Sequence, residues 1–247
     1  GSSYLQPADQ SHLWIDYNRA LYRLMDRFAK GFPNVMAMLC AGGSGRVDYG
    51  AMPYFHSFWP SDNTDPLGRI KIQWGFSHFF PANTISAHVT RMGKRHLKMA
   101  IDVALSGAFG IDLALDKATA EERAQIADAV KLYKERIRPL VMHGELYRLV
   151  SPYESPLASL SYVSTDKQKA VVYFYQTKDG NEPRVMLGGL DAHKKYRVEE
   201  VSLAKGVASR FPANGKVFTG AELMEKGLEN PLNTQFESAV LILVANN

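Results

Sequence analysis

Two short apolar runs in this chain empty into residues that could do chemistry. Val35 to Leu39 leads into Cys40-Ala-Gly-Gly-Ser-Gly-Arg46, and Phe55 to Pro60 leads into Ser61-Asp-Asn-Thr-Asp65. Small and acidic residues delivered twice to one end of a sheet are the pattern of an α/β active site. Asp62 falls directly after the second run. It reads either as a carboxylate presented for catalysis or as a strand-end or helix-capping group. Asp65 precedes Pro66, the combination of an N-cap with proline at the first helical position, so it is assigned to starting a helix. Asp48 is close enough in sequence to pair with Arg46, which reads equally as a structural ion pair or a ligand clamp.

The other polar candidates carry bland readings beside the sharp ones. Cys40 is the sole cysteine. No histidine stands in a motif relation to it, which favours a small buried hydrophobe over a nucleophile. Gly42, Gly43 and Gly45 resemble a phosphate cradle, but no G-K-[ST] follows, which rejects a P-loop. A glycine-lined turn also lets a sugar ring approach the backbone. Trp59 is either core or a surface on which a sugar stacks. None of the seven histidines falls in a zinc spacing, so neither metal nor cofactor is expected. His88, at the end of a third apolar run, is either a core histidine or a site residue.

The elements that must position these residues follow from periodicity. Leu13, Tyr17, Leu21, Leu24 and Phe28 recur at helical spacing, with Asp9 or Ser11 as cap and Gly31-Phe-Pro33 as stop. Val35 to Cys40 predicts a strand buried on both faces, and Phe55 to Pro60 a second. Leu67, Ile70 and Trp74 mark the buried face of the helix begun at Pro66. Thr84 to Val89 and Phe109 to Leu115 predict two further strands, separated by a helix through Leu97, Ile101 and Leu105. Thr119-Ala-Glu-Glu122 is a capping box whose helix is expected to close at Pro139. This alternation predicts a parallel α/β layer. From Gly144 the pattern turns to β-type runs at Ser159–Ser164, Lys169–Gln176, Arg184–Leu187, Tyr196–Val201 and Ser238–Val244. Val171, Tyr173 and Tyr175 alternate with Val172 and Phe174, a strand apolar on both faces.

Bulk properties exclude several classes. The 247 residues suffice for one large or two modest domains. A net charge of +4 arises from 29 basic and 25 acidic residues without a basic run, so no nucleic-acid partner is expected. No apolar stretch reaches the roughly 18 residues of a membrane span, so no membrane partner is expected. No signal-peptide pattern opens the chain, and the compartment stays open between cytoplasm and periplasm.

In order and spacing, Cys40–Arg46, Trp59-Pro-Ser-Asp-Asn-Thr-Asp65, Arg69-Ile-Lys-Ile-Gln-Trp-Gly75, Ser86-Ala-His-Val89 and Ser106-Gly-Ala-Phe-Gly110 resemble consecutive blocks of family 36 glycoside hydrolases. Looser agreement continues at Gly144–Leu149 and Phe218–Leu223. The family comprises α-galactosidases and raffinose-synthase relatives. The resemblance implies the second half of a (β/α)₈ (TIM) barrel over residues 1–143 and a small antiparallel β-sandwich domain over 144–247. It implies a retaining mechanism on terminal α-galactosides, with Asp62 as general acid/base. Cys40 and Gly42 match positions lining the galactose pocket, and Arg46 ends that block as an orienting residue. Gly43, Trp59 and His88 complete the expected substrate-binding set.

Some positions depart from the family pattern. Ala41 and Ser44 interrupt a turn that is usually richer in glycine, and Pro60 and Pro66 replace residues that are often threonine and alanine. The family's nucleophile lies in a Lys-Trp-Asp strand end, and no Lys-Trp-Asp occurs here. That position would fall just before Gly1, which itself stands where an initiator methionine is expected. The expectation is thus a fragment, inactive alone, whose open strand edges at Val35 and Phe109 are covered in a homo-oligomer. A non-catalytic carbohydrate-binding or regulatory module, and a raffinose-synthase-like transglycosylase, are the alternatives.

Overall fold

The computed structural model describes residues 1–90 and 96–246. The chain divides into two compact units, Gly1–Trp59 and Pro60–Asn247.

The first unit opens with a 3₁₀ turn, Pro7–His12, that runs straight into α1 (Leu13–Gly31). His12 already has helical dihedrals (φ −79°, ψ −16°), and no side chain caps the helix start. The caps expected at Asp9 or Ser11 are therefore absent. The turn begun at Pro7 leaves no extended residue from which a side chain could reach the first helical N–H groups. The stop is as predicted: the helix ends at Gly31, and the Phe32 N–H donates back to the Phe28 carbonyl over 2.9 Å.

Strands β1 (Met38–Leu39) and β2 (Ser57–Phe58) pair in parallel, with Met38 opposite Ser57 and Leu39 opposite Phe58. Both are shorter than the apolar runs that contain them. Leu39 and Phe58 are buried, but Val35, Met36 and Met38 are 49%, 76% and 46% exposed. A strand buried on both faces is thus not observed, because the described residues cover only the Leu39 side. Likewise α1 fully buries Met25 alone and leaves Trp14, Leu24 and Phe28 in solvent.

The second unit begins with α2 (Pro66–Phe76), β3 (Ser86–Val89), α3 (Leu97–Ala104) and β4 (Ala108–Ile111). β3 and β4 pair in parallel, with His88 opposite Gly110. α4 (Ala120–Leu132) opens on the predicted capping box, with Thr119 and Glu122 bonded reciprocally. It does not close at Pro139. A π-helical turn over Tyr133–Ile137 carries it into α5 (Arg138–His143), with the Arg138 N–H reaching the Tyr133 carbonyl. Proline lacks an N–H and its ring crowds the preceding turn of an α-helix; the wider π turn accommodates both defects, and the helix continues.

The strands that follow are β5 (Glu145–Val150), β6 (Leu157–Val163), β7 (Lys169–Gln176), β8 (Arg184–Val185), β9 (Lys195–Glu200) and β10 (Val217–Thr219). After α6 (Gly220–Glu225) come β11 (Leu228–Glu229) and β12 (Ser238–Asn246). Six of them form an antiparallel sheet in the order β10-β9-β12-β7-β6-β5, and β8 pairs separately with β11. β7 lies between β12 and β6 and is apolar on both faces, as its alternation predicts. Val171, Tyr173 and Tyr175 pack into a core with Met99, Ile101 and Leu105. Val172 and Phe174 pack into a second core with Val185, Leu223 and Leu228.

The tyrosines of the first core also do polar work. Tyr175 donates to the Asp102 carbonyl (3.0 Å), Tyr173 to Leu105 (2.8 Å), Tyr162 to Ser106 (2.8 Å) and Tyr133 to Gly107 (2.9 Å). These are carbonyls that the end of α3 and the turn into β4 leave without intrahelical partners. Lys98 secures the same helix, pairing with the buried Asp102 and donating to the Ser238 carbonyl at the start of β12 (2.7 Å). No described helix is long and apolar enough to cross a membrane.

Candidate active site

In the first unit, the exits of β1 and β2 lie side by side. The Trp59 N–H donates to the Leu39 carbonyl over 2.9 Å, so Cys40 and Trp59 leave the C-terminal ends of adjacent parallel strands. Gly42 (φ +59°) and Gly43 (φ +79°) then turn the backbone through left-handed conformations that side chains disfavour. The Ala41 N–H closes this turn on the Gly43 carbonyl at 3.0 Å. Cys40 is an exposed free thiol. The buried position expected for it is not observed, because the strand ends at Leu39 and only Leu39 reaches the core.

Asp48 does not pair with Arg46. Its carboxylate accepts from the Tyr22 hydroxyl (2.6 Å) and the Ala51 N–H (2.8 Å), which fixes the turn after the glycines instead. Arg46 is exposed and, with Trp14, Tyr17, Asn18 and Asp48, lines a recess of about 440 Å³.

In the second unit, Ser61 to Asp65 form a staircase of local bonds. Ser61 Oγ accepts from the Asn63 N–H (3.1 Å), Asn63 Oδ1 from the Asp65 N–H (3.0 Å), and Asp65 Oδ2 from the Gly68 N–H (3.1 Å). Asp65 is thus the N-cap of α2, with Pro66 at the helix start, as read from sequence. Asp62 sits at the bend of this loop with its side chain exposed.

Among the described residues, two contacts fasten the loop to β3 and the residue that follows it. The Thr90 hydroxyl, just past the strand, donates to Thr64 Oγ1 at 2.7 Å. Arg69, on the buried face of α2, donates through Nη1 to the Ser61 carbonyl (3.2 Å) and through Nη2 to the Ser86 carbonyl (2.5 Å). Arg69 is 2% exposed, and burial pushes its guanidinium pKa down to about 10, so it stays charged at neutral pH.

His88 follows Ser86 on β3 and is half-buried. Its ring lies over Gly110 on β4; a Cβ there would come within 2.3 Å of it, so the absence of a side chain makes its room. Burial, and then the charge of Arg69, hold the His88 pKa below its ordinary 6.5, against an opposing pull from Asp112.

Sequence reasoning missed Arg69, Gln73 and the Thr64–Thr90 contact. A signal existed for the first two: positions 66, 69, 70, 73 and 74 form one helical stripe, and all are buried. A stripe that places arginine and glutamine inside marks polar groups with buried work to do.

Parallel strand pairs that deliver polar loops from their C-terminal ends, followed by an antiparallel sheet, place the chain among mixed α/β proteins with a separate β portion. Known proteins narrow this. Residues 1–144 match the Melibiase family, and residues 157–243 match the glycosyl hydrolase family 36 C-terminal domain. The α-galactosidase AgaA of Geobacillus stearothermophilus is 36% identical over 94% of this chain and 31% of its own length. Alpha-galactosidase 2 of Hypocrea jecorina is 32% identical over 92% of this chain and 30% of its own. A doubly substituted AgaA solved with raffinose superposes over the whole chain with a TM-score of 0.86 at 34% identity, covering 34% of that structure. The α-galactosidase of Lactobacillus brevis superposes equally well, at 0.86 with 29% identity and 34% coverage. The chain belongs to glycosyl hydrolase family 36, the melibiase family. It spans about a third of the length of the relatives it matches.

Proposed function

We propose that the protein carrying this chain is a retaining α-galactosidase in which Asp62 is the general acid/base. The observation that carries the reading is the placement of Asp62 on a loop pinned to β3 at Ser61 and at Thr64, inside the segment that matches the family. An exposed carboxylate on a fixed backbone can protonate the departing glycosidic oxygen, then take a proton from the water that releases the sugar. Retaining chemistry requires a second carboxylate about 5–5.5 Å away as nucleophile. The family's Lys-Trp-Asp is not in this sequence, so this chain alone is proposed to be inactive. Cys40, Gly42, Gly43, Arg46 and Trp59 are proposed as sugar-binding residues, and His88 is proposed as a further one. Residues 1–143 are proposed as four strand–helix units of a (β/α)₈ barrel, and residues 144–247 as the β domain. The parallel pairing of β1 with β2 and of β3 with β4 supports the first assignment, and the unbroken antiparallel order from β5 onward supports the second. The exposed apolar side chains of α1 and β1 support self-association of this chain.

The test uses the full-length gene product with melibiose and raffinose as substrates. Asp62→Ala should lower kcat by about 10²–10⁴-fold, the usual contribution of general acid–base catalysis. Azide, which needs no general base, should restore part of the turnover of p-nitrophenyl α-galactoside. Full activity in Asp62→Ala, or sustained turnover by this 247-residue chain alone, overturns the reading. Turnover that requires a sugar acceptor would identify a transglycosylase instead.

A further inference from the structure

We propose that Arg69 is the positioning residue for Asp62: its guanidinium grips the Ser61 carbonyl and thereby fixes the peptide that carries the Asp62 side chain. This rests on the reading of Asp62 as the acid/base.

A fully buried guanidinium is a costly way to fill a helix position that an apolar side chain could occupy, unless its donors are used. Two of Arg69's donors go to backbone carbonyls on separate elements. Ser61 immediately precedes Asp62, and Ser86 lies two residues before His88 on β3. The carbonyl of Ser61 belongs to the peptide that joins it to Asp62, so Arg69 holds the Asp62 backbone directly. On the other side of Asp62, the Thr90 hydroxyl holds Thr64. Asp62 is therefore bracketed by two anchors, both referred to the same strand. Removing the Arg69 anchor loosens the peptide on the Ser61 side of Asp62.

Gln73 is the internal comparison. It lies one turn further along the same buried stripe, but its amide donates to the Val103 carbonyl (3.3 Å) and to Ser106 Oγ (3.2 Å), and not to the loop. The buried polar face of α2 thus has two functions: Arg69 sets the acid loop, and Gln73 sets the end of α3.

The experiment compares Arg69→Met, Arg69→Lys and Gln73→Met in the full-length gene product. Misplacing a reacting group by about 1 Å can cost about 100-fold, so Arg69→Met should lower kcat on raffinose by about that factor with KM nearly unchanged. The loss on p-nitrophenyl α-galactoside should be about ten-fold smaller and partly relieved by azide, because that leaving group needs little protonation. Arg69→Lys, which keeps the charge and a donor, should recover part of kcat. Gln73→Met should lower the melting temperature and leave the ratio of the two activities as in the unsubstituted protein. Equal losses on both substrates in Arg69→Met, matching Gln73→Met, would make Arg69 merely structural and overturn the proposal.

Amide exchange on this chain supplies a readout independent of turnover. Arg69→Met should speed exchange at Asn63 and Asp65 but not at Gly68, whose partner Asp65 lies past the Thr64 anchor. Unchanged exchange at Asn63 and Asp65 in a folded variant also overturns the proposal. If Asp62→Ala is as active as the parent while Arg69→Met still loosens the loop, the acid/base reading fails and the anchor stands.

Discussion

The hydroxyl of Tyr173, at the centre of the six-stranded sheet, donates to the carbonyl oxygen of Leu105 just beyond α3 over 2.8 Å. Both residues are fully buried. Together with those of Tyr162 and Tyr175, this bond fastens the sheet to the end of α3 and the turn that leads into β4. Tyr173→Phe keeps the ring and leaves the Leu105 carbonyl without its partner. A buried polar group left unsatisfied costs about 1–3 kcal/mol. Urea unfolding of Tyr173→Phe should show a loss of that size, with the m-value unchanged.

How far these features were legible from sequence depends on the range of the interaction that makes them. The Thr119–Glu122 box, the Asp65–Pro66 helix start, the Gly31 stop and the double-faced β7 are local, and each is written in adjacent residue types. The bonds of the tyrosine hydroxyls leave no local mark in the sequence, because their acceptors lie 26 to 73 residues away. Arg69 was passed over because an arginine in a helix ordinarily faces water. The continuation of the helix past Pro139 was missed because a π turn has no residue signature of its own. For the candidate site, Cys40 and the glycine turn follow β1 directly, whereas β2 ends at Phe58 and Asp62 follows only after Trp59, Pro60 and Ser61. The anchoring of the Asp62 loop to β3 comes from contacts between segments that sequence order keeps apart.

His88 makes stability depend on pH in a stated direction. Its native pKa is held below 6.5 by burial and Arg69. As pH falls through 6.5, the unfolded chain takes up a proton that the native ring refuses, so stability declines until the native pKa is also passed. Above that window the contribution is fully present. Denaturant titrations of the parent and of His88→Gln between pH 7.5 and about 5 should diverge, with the parent losing more stability on acidification. Parallel curves would remove His88 as the source.

The exposed apolar face of the first unit should drive self-association of this chain. Trp14 (67% exposed), Leu24 (61%), Phe28 (41%) and Met36 (76%) lie within 23 residues of one another. Exposed apolar patches beyond a few hundred Å² usually mark interaction surfaces. Light scattering at micromolar concentration should report a mass above 27.5 kDa. Leu24→Glu with Phe28→Glu should return the monomer without changing the far-UV circular dichroism. A monodisperse monomer in the parent chain would count against association.

Cys40 offers a direct test of the proposed sugar wall that does not depend on turnover. It is the sole cysteine and is exposed at the exit of β1, next to the left-handed Gly42–Gly43 turn. A thiol reagent should therefore label it at one equivalent in the native chain. If Cys40 lines a galactose site, bound galactose must shield it. The labelling rate should fall about two-fold when galactose is present at its dissociation constant, and further in proportion to occupancy. Glucose, which differs at one hydroxyl, should protect less, because a site built to bond a hydroxyl is left with unpaired polar groups when that hydroxyl is misplaced. Asp62→Asn should label at the parent rate without sugar, since the role proposed for Asp62 is proton transfer. Protection by galactose in a chain that does not hydrolyse galactosides would identify the wall as a binding surface in its own right. Labelling unaffected by galactose at tens of millimolar would remove Cys40 from the site.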